Sequence, residues 1–71
     1  MMTMTLVVSS NLHGVDYEPW SETLTITFRN GSVYEYYGVP ATVCNGLLDA
    51  DSPGRFHHEH IKNHYSCKRI L

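Results

Sequence analysis

The chain has 71 residues, 42% of them hydrophobic and 17% charged, and a formal net charge of −2. This length allows one small domain with a limited core, and the composition excludes a disordered chain and a membrane-spanning one. No apolar run reaches transmembrane length and Met1 to Thr5 lacks the basic start of a signal peptide, so we expect a cytoplasmic protein with a flexible segment at residues 1–5 and one domain at 6–71.

The first part of the chain carries strand patterns. A short strand is predicted from Leu6 to Ser9, and the polar run Ser9 to Asn11 favours a turn after it. Leu12 to Tyr17 is the next strand candidate, in which Gly14 either weakens the strand or marks a β-bulge. Pro19 cannot donate to a strand ladder and therefore marks the connection to the following strand.

Residues 24–37 predict a β-hairpin, because apolar residues alternate on both sides of Asn30-Gly31. A two-residue loop would place the tyrosines of the second strand on the same face as the threonines of the first. A three-residue loop with Gly31 in the left-handed conformation, a G1 bulge, buries one aliphatic and aromatic face instead, so we prefer it. This register pairs Leu24, Ile26 and Phe28 with Tyr36, Tyr34 and Ser32.

After the hairpin, the spacing of apolar residues changes from the period of a strand to that of a helix. A helix is predicted with Pro40 near its first position and with Val43, Leu47 and Leu48 as its apolar stripe, before Asp49-Ala50-Asp51 ends it. Gly46 in the interior costs about 1 kcal/mol relative to alanine. Either this helix is short or its backbone lies close to another element.

A second helix is predicted to begin at Ser52-Pro53, with Ser52 as the N-cap, and to run through Phe56 and Ile61 to about His64. Residues 65–71 form a tail that docks through Tyr65 and Ile70. The predicted fold class is therefore α+β, an antiparallel sheet of three to four strands followed by two helices packed on one face.

Several short motifs occur in an order that is typical of one family, and the most specific of them is Tyr34-Glu35-Tyr36. They resemble the KTSC domain, which is named for the C-terminus of certain lysyl-tRNA synthetases. The resemblance implies a stand-alone bacterial or phage protein, or a synthetase extension, of uncharacterised role, and the fusion suggests binding to RNA or tRNA. Phe56-His57-His58 departs from the family's aromatic-aromatic-Asn pattern. The motifs are Ser9-Ser10-Asn11, Tyr17, Phe28 to Tyr36, Gly38-Val39-Pro40, Leu47 to Ala50, Ser52-Pro53-Gly54, Ile61-Lys62, Tyr65 and Arg69-Ile70.

Charge is polarised along the chain. Residues 1–54 hold one basic and six acidic residues, whereas residues 55–71 hold four basic residues and one acid. The first functional hypothesis is weak RNA binding, with phosphate contacts and one stacking tyrosine in the basic segment. The alternative interpretation is a solvated helix face and a soluble tail. The RNA candidates are Arg55, Lys62, Tyr65, Lys68 and Arg69.

The second functional hypothesis is a protein-protein interaction or homodimerisation module. Five tyrosines and one tryptophan are many for so small a chain, and exposed aromatic side chains are enriched at interfaces. Trp20, in a polar connection, and Tyr37 are the candidate surface residues. The ordinary interpretation of Tyr17, Tyr34 and Tyr36 is that they are core residues with hydroxyl groups at the rim.

The histidines suggest a third hypothesis, a metal site, because His57, His60 and His64 follow one helical stripe. Three ligands from one straight helix fit a tetrahedral zinc ion poorly, even with Cys67 or water as the fourth. Ile61 shares the stripe, which predicts that His57 is buried and hydrogen-bonded. We therefore expect no metal and no other cofactor.

Catalysis has no support in the sequence. The candidate nucleophiles are Ser9 and Ser10 in a polar turn and Cys44 in a helix stripe, and the sequence places no general base beside any of them. The chain is also too short for a deep cleft. Cys44 and Cys67 are expected to be free thiols. We expect a non-enzymatic protein without a small-molecule substrate.

Overall fold

The computed structural model describes residues 5–6 and 11–71. Most of the segment predicted to be flexible, the predicted strand after Leu6, and the turn at Ser9 and Ser10 lie outside the described residues. The strands are β1 (Thr5–Leu6), β2 (Leu12–Glu18), β3 (Thr23–Phe28), β4 (Val33–Tyr36) and β5 (Cys67–Arg69). The helices are α1 (Ala41–Asp49) and α2 (Pro53–Phe56), and a π-helical turn (His57–Ile61) directly follows α2.

The α+β class is confirmed, because four antiparallel strands precede two helices. In addition, the segment predicted as a docking tail returns to the sheet and adds β5 beside β4, so that the strand order is β1-β2-β3-β4-β5. Backbone bonds hold it there, including Tyr37 N to Ser66 O at 2.9 Å and Ile70 N to Val33 O at 2.7 Å. All three residues of β5 are exposed, so no burial pattern in the sequence marks this strand.

The predicted hairpin register is confirmed. Leu24 lies opposite Tyr36 and Ile26 opposite Tyr34. The turn closes with Gly31 N donating to Phe28 O at 3.0 Å, and Gly31 has a φ of 92°. The selecting force is burial, because a slip of one residue would move this whole set of side chains to the opposite face.

Gly31→Ala should lower the free energy of unfolding by about 1–2 kcal/mol, since only glycine adopts this left-handed conformation without strain. Space is not the obstacle, because a Cβ at this position meets nothing within 4 Å. Urea denaturation followed by circular dichroism measures the loss. Gly31→Asn is the matched control, because asparagine tolerates a positive φ, and it should cost less. An equal loss in both variants would contradict this explanation.

The sheet packs its aliphatic and aromatic face against the helices. Gly14 marks a β-bulge, as the sequence allowed, because the β2 to β3 register shifts between Leu12 and Gly14. A Cβ at Gly46 of α1 would lie 2.8 Å from Phe56 Cζ, so the helix backbone does lie close to another element. The buried hydrophobic residues are Leu12, Val15, Leu24, Ile26, Tyr36, Val39, Cys44, Leu47 and Ile61.

The second helix begins as predicted but ends earlier. Ser52 is the N-cap, with its Oγ accepting from Arg55 N at 3.3 Å, and Pro53 follows at the first position. The helical backbone ends at Ile61 rather than near His64, because a π-helical turn closes with Lys62 N donating to His57 O at 2.8 Å. Asn63 then has a φ of 68° and redirects the chain toward β5. No helix within the described ranges is long and apolar enough to cross a membrane.

Candidate functional site

A cleft of about 390 Å³ lies between the turn of the β3 to β4 hairpin and the segment formed by α2 and the π-helical turn. Its aromatic lining residues are Phe28, Tyr34, Tyr36 and His57. Its other lining residues are Asn11, Asn30, Ser32, Gly54, His58, Lys62, Asn63 and Cys67.

The floor of the cleft is a buried hydrogen bond between Tyr36 Oη and His57 Nε2, 2.7 Å apart. Phe28 packs its ring against the His57 ring, with centroids 5.3 Å apart and an interplanar angle of 70°. Tyr34 stacks beside Tyr36 at 6.4 Å. The prediction that His57 is buried and hydrogen-bonded is therefore confirmed.

Burial keeps both members of this pair uncharged. Burial, together with the neighbouring Cys67 and Tyr34, which act in the same direction, raises the pKa of Tyr36 to about 12. Burial also lowers the pKa of His57 to about 4, with Lys62 and His58 acting in the same direction. A neutral phenol and a neutral imidazole thus share the hydrogen bond at neutral pH.

The rim of the cleft is polar and carries one positive charge. Asn30 Oδ1 accepts from Ser32 N at 3.0 Å and from Ser32 Oγ at 2.7 Å, which holds the buried serine in place. Lys62 is exposed and is the one lysine or arginine among the lining residues. Among the described lining residues there is no aspartate or glutamate, so Lys62 sets the sign of the charge at the rim.

The structure divides the five predicted RNA-binding residues. Lys62 lines the cleft, Arg55 is exposed on α2 beside Gly54, and Tyr65 is half-buried against the core. Arg69 lies opposite Tyr34 on the cleft side of the sheet, and its Nε donates to Leu71 O at 2.8 Å.

Lys68 lies opposite Glu35, so its side chain belongs to the other face of the sheet. Side chains of successive strand residues point to opposite faces, and residues directly opposite each other in paired strands share a face. The basic segment is therefore continuous in the sequence but not on the surface.

The two predicted interaction residues lie away from the cleft. Trp20 is 96% exposed in the turn between β2 and β3, at the other end of β3 from the Asn30 turn, which confirms it as the exposed aromatic residue. Tyr37 is half-buried, and its hydroxyl group donates to Glu35 Oε1 at 2.9 Å. These two residues do not contribute to the cleft.

The histidine stripe does not form a ligand set. His57 is buried against Tyr36, His60 packs on the Phe56 ring at 4.6 Å, and His64 is exposed in the turn after the π-helical segment. In the part of the chain that the structure describes, no group of three or more His, Cys, Asp or Glu residues could hold a metal ion. Both cysteines are free thiols, as predicted.

Sequence reasoning did not find the cleft, although one signal pointed to it. The motif residues that line it are far apart in the sequence, and their individual roles in turns and caps gave no reason to group them. The signal is that all of them belong to the motifs by which the chain resembles its family. These residues are Asn11, Phe28, Asn30, Ser32, Tyr34, Tyr36, Gly54 and Lys62.

The fold and the cleft define a small α+β module whose cleft has a polar rim and an aromatic floor. A family model described as the KTSC domain matches residues 8–65, so the chain belongs to the KTSC domain family. The crystal structure of a KTSC domain protein from Yersinia pestis has a TM-score of 0.94 and 35% identity, and the match covers all of both chains.

Two further relatives show where such chains occur. A lysine-tRNA ligase from Nostoc sp. is 43% identical over 54 residues, which cover 76% of this chain and 10% of that protein. An uncharacterized protein from Stutzerimonas stutzeri is 40% identical over 63 residues, covering 87% of this chain and 89% of the relative. The chain thus spans about a tenth of the length of the ligase and nearly the whole of the smaller relative.

Proposed function

We propose that this chain is a non-enzymatic RNA-binding module, and that RNA contacts the side of the sheet that carries the cleft. The observation that supports this proposal best is the placement of Lys62 at the cleft and of Arg69 opposite the lining residue Tyr34. Lysine and arginine are the usual phosphate contacts of RNA-binding proteins. Two cations thus flank half-buried aromatic rings.

The relatives support the same proposal from another direction. A region similar to this chain forms part of a lysine-tRNA ligase from Nostoc sp., a protein whose name specifies tRNA. The match covers only 10% of that ligase, so the similarity concerns this small region and not the rest of the enzyme. A module that contacts RNA phosphates would be useful both alone and beside a protein that handles tRNA.

Electrostatics set the expected strength of binding. The chain has only five lysine and arginine residues and a net charge of −2. Because phosphate contacts dominate non-specific affinity, binding should be weak and should fall steeply with added salt. The affinity must therefore be measured at low and at moderate ionic strength.

Lys62→Ala and Arg69→Ala should each weaken binding of single-stranded RNA by about three- to tenfold and reduce the salt slope by about 0.7. Lys68→Ala is the matched control, since it removes the same charge from the opposite face and should change the affinity by less than about twofold. Fluorescence anisotropy with a labelled RNA, at two salt concentrations, measures both quantities.

Two results would contradict the proposal. If Lys68→Ala weakens binding as much as Lys62→Ala, the affinity depends on the net charge of the chain and not on which face of the sheet carries the charge. If the unmodified chain shows no binding at low salt, RNA is not its partner.

The exposed Trp20 favours a second candidate function, binding of a protein partner or of a second copy of the chain. A side chain that is 96% exposed at the tip of a turn is an unusual position for tryptophan, and tryptophan is enriched at interface hot spots. The two candidate functions use opposite ends of β3. Trp20→Ala should therefore leave RNA binding unchanged if the first proposal is correct.

A further inference from the structure

The cleft has the size and the wall composition of a small-ligand site. Its volume of about 390 Å³ lies within the range of about 300–1,000 Å³ that such sites occupy. Phe28 and Tyr34 are half-buried lining residues, so part of each ring surface faces the open space. Aromatic surface of this kind is what an unpaired base stacks on.

The polar groups of the cleft match the other parts of a nucleotide. Lys62 supplies the positive charge for a phosphate group. Asn30 Oδ1 is engaged by Ser32, so this side chain offers a ligand its NH₂ donors. The amide of Asn63 can both donate and accept, as the edge of a base requires.

The backbone places these groups through two unusual conformations. The π-helical turn ends at Ile61, and the next residue, Lys62, reaches the cleft. Asn63 then adopts a φ of 68°. π-Helical turns are rare and occur frequently at functional sites, and left-handed non-glycine residues cluster at ligand clamps. Both conformations lie at the end of the helical segment, where Lys62 and Asn63 line the cleft.

We infer that the cleft binds one unpaired nucleotide of the RNA, with its base against Phe28 and Tyr34 and its phosphate group at Lys62. This inference rests on the proposed function and specifies that the RNA is bound through an unpaired nucleotide. A base that is paired in an A-form duplex cannot enter the cleft, because its faces are stacked on neighbouring bases and its pairing edge is occupied. The module should therefore prefer single strands, loops and free ends.

The experiment uses the full chain and defined probes. Nuclear magnetic resonance titrations with the four nucleoside 5′-monophosphates, and with the corresponding nucleosides, report on the amides of Ser32 and Asn63 at the cleft and of Glu22 in the far turn. Monophosphates should shift the cleft amides and leave Glu22 unchanged, and nucleosides without phosphate should bind more weakly. In parallel, anisotropy should show tighter binding of a single-stranded RNA than of a blunt duplex of the same sequence.

Two variants test the wall of the cleft, and one serves as control. Phe28→Leu removes the ring, and Asn63→Gly removes the amide while keeping the positive φ. Each should weaken binding of monophosphate and of single-stranded RNA by about three- to tenfold. Trp20→Ala, which removes an aromatic ring from the other end of β3, should bind as the unmodified chain does. Asn63 is exposed, so its variant stays informative if Phe28→Leu fails to fold.

The outcomes separate this inference from the proposed function. If the duplex binds as tightly as the single strand, or if Asn63→Gly binds single-stranded RNA like the unmodified chain, the nucleotide site is wrong while RNA binding stands. If the unmodified chain binds no RNA, the proposed function is wrong, and a nucleotide of bound RNA is excluded with it.

Discussion

Leu47→Ala is expected to lower the free energy of unfolding by about 2–5 kcal/mol, because it opens a cavity in the core between α1 and the sheet. Leu47 is completely buried. A chain of this length has only about 3–5 kcal/mol of stability from a single core, so a large part of the protein should be unfolded in this variant. Urea denaturation followed by far-ultraviolet circular dichroism measures the change.

The neighbouring residue provides a matched control. Leu48 belongs to the same helix and is 36% exposed, so Leu48→Ala makes the same chemical change and the same change in helix propensity with far less loss of packing. We expect it to cost less than about 1 kcal/mol. Equal losses at the two positions would show that α1 does not face the sheet in this orientation.

Stability should fall as the pH drops from 6.5 toward 4, because His57 then binds a proton in the unfolded chain but stays neutral while it is buried in the folded protein. Burial among Tyr36 and Phe28 lowers the pKa of His57 from 6.5 to about 4 in the folded protein. The unfolded chain therefore binds the proton first, and the contribution of neutral His57 is complete above pH 6.5 and is lost progressively as the pH falls toward 4.

The expected loss from this group is about 1.4 kcal/mol at pH 5.5 and about 3 kcal/mol near pH 4, from 1.36 kcal/mol per pKa unit. Below that pH the folded state binds the proton as well, and the loss levels off. The measurement is the free energy of unfolding at a series of pH values between 7.5 and 4.

Two histidine variants isolate the group responsible. His64→Gln changes an exposed histidine that does not line the cleft and should follow the unmodified chain. His57→Gln removes the buried imidazole, so its free energy of unfolding should depend less on pH over this range. If all three proteins lose stability in parallel, His57 is not the buried titrating group.

The core and the cleft are connected through α1 and α2. Phe56 fills the space above Gly46, and the next residue in the chain is His57, whose ring closes the floor of the cleft. Because Phe56 contacts the helix backbone, the position of α2 depends on α1. We therefore expect variants that loosen this contact to affect both stability and binding.

Local chemistry allowed several predictions from the residues alone. Gly31 after Asn30 required a turn with a positive φ, and the alternation of Leu24 and Ile26 with the tyrosines selected one register. Ser52-Pro53 marked the start of α2 because a cap and a fixed φ act within a few residues. The exposure of Trp20 followed from its polar surroundings in a connection.

The fifth strand, the end of the second helix and the cleft could not be predicted in this way. β5 is stabilised by backbone bonds to β4, which any residue except proline can make whatever its side chain, so the segment around Lys68 carries no strand pattern. The π-helical turn begins at His57, whose hydrogen bond to Tyr36 Oη spans 21 positions of sequence. A residue pattern carries no information about a partner that only the folded chain brings near.

The amino-acid sequence by itself thus determined the hairpin, the helix starts and the family, since these depend on turn chemistry, periodicity and motifs within short segments. Only the tertiary structure decided that Lys62 and Arg69 lie on the cleft side while Lys68 lies on the other face. The physical reason is that strand pairing sets the face of each side chain, and the pairing of β5 with β4 is a long-range contact. Burial of the Tyr36 and His57 pair likewise arises from packing between distant segments.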